Sequence, residues 1–500
     1  MNTTVDADFL ELPLSSVSEA AITAGLGAGA SHVDLRIERT RTGYLSLRDA
    51  KLETKTDSTI FGLGVRVIVD GAWGFASAPS VSVASAQKLV TIAIAMAKRS
   101  KPLATEYVDL VSEPIYAEQN WISAYEIDPF AISEEAKIAR LAELSSALLG
   151  AANVNHTGAN SMFVKEQKHY ADSYGTSTTQ QRVRVQTQID AVSIGDHGFE
   201  AMRTLAQPAG YGWEWMGNSI WNWDQEIAEL PDLLAQKVKA PSVIPGRYDL
   251  LIHPSNLWLT IHESIGHATE LDRAIGYEAN YAGTSFATPD KLGNLQYGSQ
   301  LMNITGDRNT AHGLSTVGWD DEGVAAQQWD IVKDGLLVGY QLDRRIASRV
   351  GRDRSNGCAF ADSPTHVPIQ RMPNVSLKPN PTGPTIEEMI SSIEDGIYIL
   401  GDKSWSIDMQ RYNFQFTGQQ FHQIKNGEII GQLKDVAYQA TTTDFWGSMK
   451  SVGGPSTYVL GGAFNCGKAQ PGQVAAVSHG CPAAIFDKVN VLNTVGEAGK

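Results

Sequence analysis

Apolar residues in this chain recur at two spacings, one helical and one alternating, and the switches between them set out its elements. Helical spacing predicts a helix near residues 15–28, and alternation predicts strands at 32–38 and 43–48. The strand expected over 59–69 runs into Asp70-Gly71, a tight-turn pair, and continues as a hairpin at 72–76. A second helix is expected over 81–98, followed by a proline-rich and acidic connector at 100–127. A helix over 133–149 opens the next unit, and alternation carries on through 182–194. Pro241 to Pro245 mark a boundary, after which strand pairs dominate. Asp334-Gly335 and Asn426-Gly427 each separate apolar runs as hairpin turns, and helical pattern returns at 385–394. The pattern predicts an α+β fold: an N-terminal α+β domain (1–125), a middle α+β segment (126–240) and a β-rich domain (241–500) carrying a metal-binding helix.

That helix is expected over 256–275, with Ser255 as N-cap and Gly276 as stop. Ile261, Ile265, Ala268, Leu271 and Ile275 form its apolar face, and His262-Glu263-Ser264-Ile265-Gly266-His267 lies off that face. Neutral imidazoles bind zinc, and a carboxylate next to the first histidine can take a proton from a water acidified by the metal. The familiar spacing is H-E-x-x-H, and here one residue more intervenes. At ~100° per residue a straight helix would splay the two histidines by roughly 140°. A π-bulge absorbs the extra residue and restores the register, so a distorted helix is expected, with Gly266 easing the distortion.

A catalytic zinc needs a third protein ligand. The three cysteines, Cys358, Cys466 and Cys481, include no C-x-x-C pair. Cys466 stands in a glycine-flanked loop beside Lys468, which would favour a thiolate, whereas Cys358 and Cys481 read as buried small hydrophobes. The carboxylates of Asp320-Asp321-Glu322 are the rival ligands, or partners that orient a histidine. The aromatic cluster Tyr211, Trp213, Trp215, Trp221 and Trp223 reads as a packed domain or subunit contact.

Composition narrows the function classes. A formal net charge of −15 excludes a nucleic-acid partner, whose phosphates would repel it. Few, unpaired cysteines and an N-terminus without a signal-peptide pattern predict a cytoplasmic protein, and no apolar run is long enough for a membrane span.

In order, His262 to His267, Gly283-Thr284-Ser285, Asp320 to Gly323, Asp444-Phe445-Trp446-Gly447-Ser448-Met449-Lys450, Cys466-Gly467-Lys468-x-Gln470-Pro471-Gly472-Gln473 and Val477-Ser478-His479-Gly480 resemble the TldD/PmbA peptidase family. The retained histidines and glutamate resemble its TldD-like, metal-containing branch. The helix after His267, Ala268-Thr269-Glu270-Leu271-Asp272-Arg273, departs from the family in being longer and more polar. The resemblance implies a zinc-dependent peptidase with His262, His267 and Cys466 as ligands and Glu263 as catalytic base. It also implies small or unfolded peptide substrates and a homodimer, or a heterodimer with a PmbA/TldE-like chain. A metal-stabilised scaffold subunit and a hydrolase of non-peptide amides are the alternatives, and a scaffold needs no base beside its zinc.

Overall fold

A computed structural model describes residues 4–196, 198–468 and 472–496. Its first half is built on one long sheet. Strands β1 (His32–Arg48), β2 (Lys51–Val69), β3 (Ala72–Ala78), β4 (Gln119–Ile122), β5 (His156–Asp172), β6 (Ser177–Gly195) and β7 (Gly198–Arg203) pair in the order β3-β2-β1-β5-β6-β4, with β7 also on β6. Strands from both sides of residue 125 share this sheet. Asp70 and Gly71 both take positive φ, as the expected hairpin turn requires, and Asp49 and Ala50 turn β1 into β2 in the same way.

Two expectations here need correction. The strands expected at 32–38 and 43–48 are one strand, because β2 pairs with β1 along its whole length and β5 pairs with it from Asp34 to Arg48. The 100–127 connector contributes β4, which runs parallel to β6.

Strand alternation divides the faces of this sheet. Val33, Leu35 and Ile37 of β1 pack under the helices Leu14–Gly27 and Val83–Ser100. Asp34, Arg36 and Glu38 point the other way, yet they too are buried. That face carries ion pairs to the second half of the chain: Arg36 and Lys168 to Asp321, and Arg66 to Glu322 at 2.9 Å. A buried polar face is tolerable because each charge has a partner.

The C-terminal half is the β-rich unit. Five strands close into a barrel: β8 (Gly246–Ile252), Ala484–Asn493, Val436–Thr441, Asn413–Lys425 and Asp395–Ile407, the last pairing parallel with β8. Asn426-Gly427 and Asp334-Gly335 make tight turns with positive φ at both residues. A separate two-stranded sheet, Val459–Lys468 with Gln473–Cys481, brings Cys466 towards the helix that follows β8. The fold is α+β, with the β-rich part carrying that helix.

The aromatic cluster packs inside this chain. Trp215 and Trp223 are buried among the helices Glu134–Leu149 and Trp223–Lys239, and the Trp223 indole donates to the Trp215 carbonyl. It therefore offers no separate argument for a subunit contact. Among the described residues no helix is long and apolar enough to cross a membrane.

Candidate metal centre

The barrel strand β8 delivers the chain directly into the helix Pro254–Ile261. Its N-cap is His253, whose Nδ1 accepts from the Ser255 amide, in place of the expected Ser255. Proline at the first helical position costs no hydrogen bond. Every side chain from Pro254 to Ile261 is buried, and Leu257, Ile261 and Ile265 join the main core.

At His262 the helix widens into a π-turn, His262–Gly266, and then tightens into a 3-10 turn, His267–Thr269. The extra residue between the histidines is absorbed as the spacing demanded. The Ser264 carbonyl accepts from the Tyr297 hydroxyl, and that of Gly266 from the Gln341 amide, both at 2.5 Å. Gly266 itself has ordinary helical angles, φ −52° and ψ −60°. Its glycine is needed for space: a Cβ there would lie 2.5 Å from Met372 Sδ. The helix expected to run on to residue 275 breaks at Glu270, whose backbone is extended (ψ 114°), before a short turn Leu271–Ala274.

His262, His267 and Cys466 converge, with one ligand atom from each lying within 4.8 Å of the others. Cys466 Sγ is 3.7 Å from His267 Nε2. All three are about 95% buried, as is Glu263.

Two hydrogen bonds fix which nitrogen of each imidazole is free. Nδ1 of His479 faces the Val375 carbonyl at 2.9 Å, so it carries the proton and donates. Nε2 of His479 is then an acceptor, and Nδ1–H of His262 donates to it at 2.7 Å. Nδ1–H of His267 donates to Glu270 Oε2 at 2.9 Å. Each of the two rings is therefore left with its lone pair on Nε2. Burial holds His262 and His267 below the usual histidine range and His479 well below it, which keeps the rings neutral.

The thiol is tuned as well. Burial works against the Cys466 thiolate, but a proton shared with the His267 ring, together with the Arg371 guanidinium, outweighs it and holds the group below the ordinary thiol value. Lys468, expected to favour the thiolate, is placed otherwise. Its ammonium is buried and donates to Glu270 at 3.2 Å and to Asp272 at 2.8 Å. Glu270 also accepts from Arg273 Nε at 3.0 Å, and this cationic cage holds its carboxyl well below the usual range despite burial. The polar run after His267 thus supports and orients the His267 ring.

Asp320, Asp321 and Glu322 are engaged away from the two histidines. Asp320 accepts from the amides of Glu322, Val324 and Ala359, and the other two pair with cations of the N-terminal sheet. Cys358 and Cys481 are buried, and desolvation pushes the Cys358 thiol up to about 12. Gln470 and Pro471 of the cysteine motif lie outside the described residues.

Sequence reasoning missed the role of His479, although it lies in a quoted motif, and of Glu270, whose signal was the unexplained polarity. It also missed Arg411, whose Nη1 donates to Glu263 Oε2 at 2.7 Å. No local sequence feature marks that contact, because the two residues are far apart in the chain.

Two neutral imidazoles and a thiolate are a donor set suited to zinc-type ions. Family models agree with this chemistry. Residues 245–493 match the PmbA/TldA metallopeptidase C-terminal domain, and residues 33–97 match domain 1 of the same family. The chain belongs to the TldD/PmbA family of metallopeptidases.

Its relatives span nearly the whole sequence. A metalloprotease of Methanothermobacter thermautotrophicus is 25% identical over 96% of this chain and 97% of its own. A zinc metalloprotease TldD homolog of Saccharolobus solfataricus is 23% identical over 93% of this chain and 97% of its own. The structure of TldE from Thermococcus kodakarensis superposes with a TM-score of 0.73 at 16% identity, covering 95% of this chain and 99% of that one. This last likeness concerns the fold alone. In this TldD/PmbA metallopeptidase the domain 1 match precedes the C-terminal domain match, and the latter contains the His-His-Cys group.

Proposed function

We propose that this metallopeptidase cleaves small or unfolded peptides with a single zinc held by His262, His267 and Cys466, and with Glu263 as general base. The observation that carries the reading is the pair of hydrogen bonds from His262 to His479 and from His267 to Glu270, which turn both Nε2 lone pairs towards Cys466. Zinc bound there would acidify a water and polarise a scissile carbonyl.

Glu263 follows the first ligand in sequence and sits on the same π-turn. One of its oxygens is engaged by Arg411, which leaves Oε1 to take the proton of the attacking water and pass it to the leaving amine. A scaffold subunit would gain nothing from a buried carboxylate at this position. The Val459–Lys468 strand pairs with Gln473–Cys481 along one edge only among the described residues. Its other edge suits an extended peptide held by main-chain hydrogen bonds, a sequence-tolerant mode. Pairing with a second copy or with a TldE-like chain would enclose the cleft and restrict it to flexible substrates.

Metal analysis of the purified protein tests the ligand set. One zinc per chain is expected, falling to a small fraction in His262→Ala and Cys466→Ala. Full zinc retention by Cys466→Ala would remove the cysteine from the set.

A further inference from the structure

We infer that Arg411 is a positioning residue of the reaction, fixing the Glu263 carboxylate so that Oε1 is the oxygen free for proton transfer. This rests on Glu263 being the base.

The contact is charge-assisted and short, 2.7 Å from Arg411 Nη1 to Glu263 Oε2. Glu263 Oε1 has no hydrogen-bond partner among the described residues. Arg411 thereby distinguishes the two oxygens of an otherwise symmetric group and restricts its rotation.

The backbone that presents Arg411 is held with unusual care. Its φ is +61°, the left-handed region that a residue with a Cβ rarely enters. Such conformations persist where surrounding contacts over-determine them, and they gather at functional sites. Here the contacts come from three directions. Asp408 accepts from the amides of Gln410 and Tyr412, and the Thr442 hydroxyl donates to the Arg411 carbonyl at 2.8 Å. The amides of Thr284 and Phe286 donate to the carbonyls of Met409 and Gln410 at 2.8 and 2.9 Å. Gly283 permits that approach, since a Cβ there would lie 2.1 Å from the Met409 carbonyl oxygen.

The side chain also ties the base to a ligand. Arg411 Nη2 donates to the Ala282 carbonyl at 3.2 Å, and Arg273 Nη1 donates to the same oxygen at 2.6 Å. Arg273 Nε bonds Glu270, which receives the proton-bearing nitrogen of His267. One carbonyl therefore links the guanidinium on the base to the carboxylate on the metal ligand. A residue that only neutralised Glu263 would need neither the strained backbone nor this second bond.

The test uses zinc-loaded full-length protein and fluorescein-labelled casein, an unfolded substrate. Arg411→Gln is expected to lower kcat roughly 10- to 100-fold, the scale of a misplaced catalytic group, with KM within about twofold and zinc content unchanged. Arg411→Lys should recover part of kcat, because an ammonium reaches Oε2 but cannot also hold Ala282. Glu263→Gln/Arg411→Gln should be no slower than Glu263→Gln. Gly283→Ala, which keeps the arginine but displaces the loop tip that aims it, should likewise lower kcat at constant KM, and it decides the matter if Arg411→Gln does not fold. Unchanged kcat in the single variants, a loss confined to KM, or a further fall in the double variant overturns the positioning role. Activity retained by Glu263→Gln overturns instead the reading of Glu263 as base.

Discussion

Nε2 of His479 accepts the Nδ1 proton of His262 across 2.7 Å, and the Val375 carbonyl on the far side of His479 makes the direction unambiguous. A third histidine thus sets the tautomer of a proposed zinc ligand.

His479→Ala should therefore weaken zinc binding by roughly 10- to 100-fold, the usual effect of removing a group that orients a ligand. Competition with a chromophoric chelator measures it. Affinity equal to the parent would mean that His262 is oriented without help.

Glu270 should matter to stability as well as to the metal. Glu270→Gln leaves Lys468 and Arg273 buried, with the Asp272 ion pair and the more distant Glu278 to balance them. Breaking a buried ion pair on one side costs about 3–5 kcal/mol. Urea denaturation of metal-free protein reads this, and a loss below about 1 kcal/mol would show that the cage relaxes.

Zinc affinity should rise with pH and level off below the pH of an ordinary thiol. Protons compete for the Cys466 sulfur and the two imidazoles, and the pKa values of all three groups are depressed. Chelator competition from pH 5 to 9 checks the shape. A curve still climbing steeply at pH 9 would place the Cys466 thiol at or above its ordinary value.

Acid stability has a separate source in His169 and His253, which burial holds at about 4. Each takes up a proton more readily when unfolded, near pH 6.5, than when folded. Their stability contribution is therefore complete above about pH 6.5 and is lost as pH falls towards 4. At ~1.4 kcal/mol per pKa unit, each accounts for up to about 3 kcal/mol. His253→Gln should flatten the stability profile across that window, and an unchanged slope would contradict the assignment.

What the sequence revealed and what it concealed follow from range. The π-turn could be read from His262 and His267 alone, because their spacing violates helical geometry unless one residue is absorbed. Hairpin turns at Asp70-Gly71, Asp334-Gly335 and Asn426-Gly427 were legible because positive φ at both positions is a local demand. Long-range partners were not legible. Lys468 is next but one to Cys466 and suggested a thiolate partner, yet the fold sends its ammonium to Glu270 and Asp272. The Asp320-Asp321-Glu322 run looked like ligands because three adjacent carboxylates carry no local sign of their buried partners, backbone amides for Asp320 and Arg36, Lys168 and Arg66 for the other two. Glu270 ends the helix early because its carboxylate serves His267, Arg273 and Lys468 together, which helical periodicity does not encode.

Glu263→Gln tests the central claim most directly, with zinc content and peptide cleavage measured on the same preparation. The substitution keeps size and shape and removes the proton acceptor. Zinc near one per chain, with casein cleavage reduced by roughly 10²- to 10⁴-fold, is the expected result. Loss of zinc would make Glu263 a ligand, and full cleavage with zinc retained would mean that this chain does not use Glu263 as its base.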